Sequence, residues 1–224
     1  MINIFRGLWA HSVTPLYAII YLLSTVAVVF VMFPIHEFAH AFTASKLGDP
    51  TPKYTGRMTL NPLAHIDWIG AACVVLFGFG WAKPVKVNVR YFKNPKRDMA
   101  ITALAGPVSN LIMAFVFLLV MNILALIPIA FIGYIISFLD IFVQISIYLA
   151  VLNLIPIPPF DGSKLLPVLL PHKQYYALMR YERYFVWGVI VLLWIGVLSI
   201  PVNFLTNQIY TGINFIASLP FTFF

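Results

Sequence analysis

His36-Glu37-Phe38-Ala39-His40 spells the pattern H-E-x-x-H. On a helix, residues four apart lie on nearly one face, a turn from each other. His36 and His40 can therefore reach a single zinc ion. Glu37 stands about 60° around the helix from His40. That offset sets its carboxylate beside the metal, where it takes a proton from water rather than acting as a ligand. A zinc ion in such a site lowers the pKa of its water to about 7, and the glutamate completes the activation. The plainer alternative is a polar cluster that bonds neighbouring helices.

A catalytic zinc needs a third protein ligand and one open position. The candidates weighed for it are His65, Asp67, Asp161 and His172, with His11 on the far side of the membrane by the charge pattern. Asp161 stands out because it follows the bend Ile155-Pro156-Ile157-Pro158-Pro159-Phe160. The prolines stop a helix at membrane depth and aim the next carboxylate inward. An ordinary turn at Asp161-Gly162 is the alternative, with His65 and Asp67 as competing ligands.

The elements that carry these residues are apolar. Of 224 residues 62% are hydrophobic and 9% charged, against about a quarter charged in soluble domains. One compact core cannot bury so much apolar surface, so lipid must cover the rest. The net charge of +7 does not point to nucleic acid. The basic residues sit between long apolar runs, as the positive-inside rule requires. A single cysteine, Cys73, excludes an internal disulfide and a cysteine zinc cluster. The first apolar run is too long for a cleaved signal peptide and has no small-residue cleavage site.

The expected architecture is an all-α polytopic membrane protein, one domain over 1–224. Five to six transmembrane or re-entrant segments are expected, near 15–44, 66–81, 99–127, 134–157, 184–200 and 205–220. The run 66–81 is short, holds Gly70, Gly78 and Gly80, and has basic stretches on both sides. It reads as re-entrant. The link 128–133 has no Lys or Arg, so the three basic stretches fall in the cytoplasm and the N-terminus outside, with Arg6 the one objection. The protein then lies in the cell membrane with its site toward the cytoplasm. Along 83–90, Val85, Val87 and Val89 alternate with Lys86, Asn88 and Arg90. A period of two predicts a small membrane-edge β element. Its edge offers main-chain partners to an extended substrate, which makes Val85, Val87 and Val89 substrate-binding candidates.

The chain resembles the site-2 protease family of intramembrane metalloproteases. The resemblance rests on His36–His40 together with Asn153-Leu154-Ile155-Pro156-Ile157-Pro158-Pro159-Phe160-Asp161-Gly162. The stretches Asn61–Asp67, Gly80–Val85 and Ala105–Asn110 also look like compact prokaryotic members. The resemblance covers about residues 25–185. It implies that Asp161 is the third zinc ligand, and that Asn153 holds substrate or stabilises the oxyanion. Asn110 is assigned to helix packing, since Gly106 and Ser109 let helices approach closely. The implied substrate is a membrane-anchored protein, cut within or near its span. Many relatives carry a PDZ or CBS domain. Neither fits this length, so regulation by such a domain in cis is not expected. A membrane metal transporter and a non-catalytic zinc-binding membrane protein are the rival readings.

Overall fold

The computed structural model describes residues 14–77 and 80–221. Arg6 and His11 lie outside the described residues. Thr14 opens the first helix, its hydroxyl accepting from the Tyr17 N–H at 3.3 Å, with Pro15 at the first helical position. Both are start signals. Helix α1 (Pro15–Ala27) passes through a wide turn, Val28–Met32, into α2 (Phe33–Lys46). Together they form one helix of 32 residues. In the wide turn the Phe33 N–H reaches back five residues to the Val28 carbonyl, one residue further than in an α-helix. Pro34 cannot donate to the ladder, and the helix widens beside it.

Three short helices follow: α3 (Thr51–Tyr54), α4 (Pro62–His65) and α5 (Trp68–Phe77). α5 has 10 residues, a rise of about 15 Å, which does not cross a bilayer. It is the helical part of the run expected to be re-entrant. Residues 78 and 79 of that run lie outside the described residues.

The expected β element is not present among the described residues. The chain is extended over 80–88, but no strand pairs with it. The Lys83 N–H donates to the His65 carbonyl at 2.7 Å, and two further main-chain donors go to carboxylates. Val85 N–H donates to Glu37 Oε2 at 3.0 Å and Asn88 N–H to Asp49 Oδ2 at 2.7 Å. The period of two then breaks at Asn88, whose side chain accepts from the Arg90 N–H and caps a short 3-10 turn, Val89–Tyr91. Val89 thus sits in a turn rather than in the predicted strand.

Helices α6 (Pro95–Ala125) and α7 (Ile132–Leu154) pack against each other and form the body of the fold. Ala114, Leu118, Val143, Ile147 and Val151 meet in one apolar core. A second cluster joins Val28, Val29, Met32 and Phe33 to Phe142, which ties the first helix to α7. α2 lies along α6. After α7 the chain turns through a proline bend, in which the Pro158–Pro159 peptide is cis. A 3-10 turn, Asp161–Leu165, leads to α8 (Leu166–Leu169), α9 (His172–Met179), α10 (Glu182–Trp194) and α11 (Ser199–Ser218).

Three helices are long and apolar enough to cross a membrane: Pro15–Lys46, Pro95–Ala125 and Ile132–Leu154. Of the five to six transmembrane or re-entrant segments expected, these three are long and apolar enough to span among the described residues. α10 has 13 residues, a rise of about 20 Å. α11 is long enough, but Asn203, Thr206, Asn207, Gln208, Thr211 and Asn214 make it too polar.

Candidate metal centre

The pair His36 and His40 lies on α2, one turn apart, and faces α6. Helix α6 presents residues at intervals of four to this pair. Thr102 comes first: its carbonyl accepts from His40 Nδ1 at 2.7 Å. That bond fixes the proton on Nδ1 and leaves the Nε2 lone pair free, as metal-ligating histidines require. Gly106 is next. A Cβ there would stand 2.4 Å from His40 Nε2 and 2.6 Å from His36 Nε2. Only a residue without a side chain lets α6 come this close to the imidazoles. Asn110 lies one turn further on.

The third group comes from the far end of the chain. The proline bend after α7 brings Asp161 Oδ2 to 3.0 Å from His36 Nε2 and 3.0 Å from His40 Nε2. The two Nε2 atoms are 3.1 Å apart. The turn is tight: a Cβ on Gly162 would lie 2.5 Å from the Leu154 and Ile155 carbonyls. His36, His40 and Asp161 are thus the group among the described residues that could hold a metal ion. Four zinc bonds of 2.0–2.1 Å at tetrahedral angles would place ligand atoms about 3.3 Å apart, close to what is seen.

Lys164, which sequence reasoning missed, reaches Asp161 Oδ1 at 2.6 Å. It holds one carboxylate oxygen and leaves Oδ2 for the histidines. The signal was available: residues three apart on a helical turn are neighbours.

A model of peptidase family M50 matches residues 121–196, a range that contains Asn153 and Asp161. YwhC of Bacillus subtilis (strain 168), by its name a candidate zinc metalloprotease, is 42% identical over 187 residues, covering 80% of this chain and 81% of its own length. The chain belongs to peptidase family M50, the site-2 protease family. Two more distant M50 relatives carry the same kind of name. Rip2 of Mycolicibacterium smegmatis is 34% identical, over 62% of this chain and 55% of its own. MJ0611 of Methanocaldococcus jannaschii is 32% identical, over 60% of this chain and 64% of its own. No solved structure matches. With its three long apolar helices, this M50 zinc metalloprotease is a membrane protein.

The other groups weighed as ligands have different places in this M50 chain. His65 is fully buried, and its Nε2 donates to the Thr59 carbonyl at 2.8 Å. Burial, only partly offset by that bond, holds its imidazole below the usual histidine range. Asp67 caps α5, accepting from the Ile69 and Gly70 N–H groups at 3.0 Å each.

Glu37 is buried beside the pair and accepts from Val85. A cavity of about 320 Å³ opens there, lined by His36, Glu37, Asn110, Asn153, Asp161 and Lys164, with Trp81, Ala82 and Pro84 at its border. Asn153 Nδ2 donates to the Leu149 carbonyl one turn back at 3.0 Å, which occupies one of its two amide hydrogens.

Proposed function

We propose that this protein hydrolyses a peptide bond within or near the transmembrane segment of a membrane-anchored protein, with one zinc ion held by His36, His40 and Asp161. One observation carries the reading: the group His36, His40 and Asp161 meets at a cavity that His36, Glu37, Asp161 and Asn153 line, beside a helix long and apolar enough to cross a membrane. A closed structural zinc site would take four protein ligands, and three ligand atoms meet here. When bound, zinc polarises a carbonyl and acidifies a water molecule.

The chain's own residues supply the remaining work. Glu37 takes a proton from water and returns it to the leaving amine. The second amide hydrogen of Asn153 is free to donate to the developing oxyanion. Lys164 keeps Asp161 turned toward the histidines. The extended segment that contains Val85 and Val87, with Val89 following it in the 3-10 turn, is clamped at Val85 and Asn88. Held in that way along the cavity, its main chain is placed to pair with an extended substrate. A Val87→Pro variant removes one donor and is expected to slow cleavage about two- to tenfold with zinc content unchanged. Cleavage at the wild-type rate by a folded variant would count against this role.

The basic stretches between the apolar runs support a site toward the cytoplasm of a cell membrane. His40 and His36 lie six and ten residues before Lys46, the end of α2. The metal then sits about 9–15 Å inside that end of the helix. A helical substrate hides its carbonyls in its own hydrogen bonds, so its span must unwind near the cut. Glycine there lowers the cost by about 1 kcal/mol and proline by about 3, relative to alanine. The purified protease is therefore expected to cut model spans in their cytoplasmic third, and faster when Gly or Pro lies nearby. Mass spectrometry of the products reads both. Cuts near the outer face, or equal rates for poly-Leu and Gly-Pro spans, would refute this reading.

A further inference from the structure

We infer that Asn110 binds the main chain of the substrate beside the bond to be cut. The inference rests on the protease reading above and adds a residue to its site. Asn110 had been assigned to helix packing, and the structure gives it no packing partner for its polar atoms. The residue is 2% exposed, and its Oδ1 is enclosed without a hydrogen-bond partner. Buried side-chain oxygens are nearly always paired, and an exception needs a reason. Membrane helices normally satisfy such an amide across the helix interface.

Its position supplies the reason. Asn110 follows Thr102 and Gly106 at steps of four on α6, so the three share one face. Thr102 orients His40, and Gly106 touches both imidazoles. Asn110 then lines the same cavity as His36, Glu37 and Asp161. The contrast with Asn153 is direct: that amide already donates to Leu149. A carboxamide has the donor and acceptor pattern of a peptide group. Unpartnered at the wall of a protease cavity, it is suited to accept from a substrate N–H and donate to a substrate carbonyl. An extended substrate presents both along its edge. Helix α6 thus serves the site three times in two turns, by orienting a ligand, by giving room to the pair, and by holding the substrate.

The test uses the full protein in detergent and synthetic model spans. In one set of spans, single backbone amides near the cut are replaced by esters, which deletes one N–H at a time. Asn110→Leu and Asn110→Ala are expected to keep one zinc per chain and to lose roughly ten- to hundredfold in kcat/KM. In the inactive Glu37→Gln background, Asn110→Leu should weaken binding of the intact span by a similar factor. One ester position should slow the wild type and have no further effect in the Asn110 variants, because the two changes delete the same bond. Additive losses at every ester position would overturn the inference. So would loss of zinc or of the fold in both variants, which would mean that Asn110 is structural. Failure of the wild type to cut the all-amide span would instead sink the protease reading itself.

Discussion

Replacing Glu37 by glutamine is expected to lower turnover by about 10²–10⁴-fold and to leave zinc content at the wild-type level. The substitution keeps the size of the side chain and one carbonyl oxygen. The Val85 N–H, which now donates to Glu37 Oε2 at 3.0 Å, retains an acceptor, so the 80–88 segment stays in place. Glu37 is not one of the three groups whose ligand atoms converge, so the metal loses no ligand. What disappears is a base that can take a proton from water and hand it to the leaving nitrogen. The same variant separates the rival readings. A transporter that uses the histidine pair for ion passage would keep its flux, and a structural zinc site would show no cleavage to lose. Turnover within a few-fold of wild type would remove Glu37 from the mechanism.

Much of this site was legible in the sequence because its chemistry is local. H-E-x-x-H needs only the helical repeat to bring two imidazoles together, and the structure has them on one helix with Nε2 atoms 3.1 Å apart. Pro34, which cannot donate to the helical ladder, accounts for the wide turn that precedes the pair. Asp161 was harder. Spacing made it stand out but left His65 and Asp67 as competitors, and the bend that carries it back to α2 depends on long-range packing of α6 on α7. The resemblance to a family chose it, and the structure brings its Oδ2 to 3.0 Å from both imidazoles.

The misreadings have a common cause. The alternation of Val85, Val87 and Val89 is real, but a strand needs a neighbour. The partners of Val85 and Asn88 proved to be carboxylates from the segment around α2, 48 and 39 residues away in sequence. Apolar runs were likewise read from composition, as transmembrane or re-entrant segments, before their helix lengths were known. α10 is too short and α11 too polar to match the three long helices. Lys164 and the unpartnered Oδ1 of Asn110 escaped for a related reason. A lysine in a basic stretch and an asparagine in a Gly-Pro-Val-Ser-Asn run look ordinary until their neighbours are seen.

Removal of Asp161 bears most heavily on the metal. Its Oδ2 is the one ligand atom in the group contributed from outside α2, 3.0 Å from each imidazole. An Asp161→Ala variant leaves two histidines and an open side. It also frees the Lys164 ammonium, which now pairs with Oδ1 at 2.6 Å and would then stand as an unpaired cation near the site. Changes to outer-shell partners of a metal typically weaken binding by about 10–100-fold. Loss of a ligand together with release of a cation should exceed that range. The decisive measurement is a zinc titration of chelator-stripped protein, wild type against Asp161→Ala, with cleavage of a model span followed at each point. The wild type should regain activity and saturate at one zinc per chain, while the variant stays empty and inactive at the same concentrations. Full cleavage by the stripped wild type, or full zinc occupancy and activity in Asp161→Ala, would contradict the assignment of His36, His40 and Asp161 as the centre of a zinc protease.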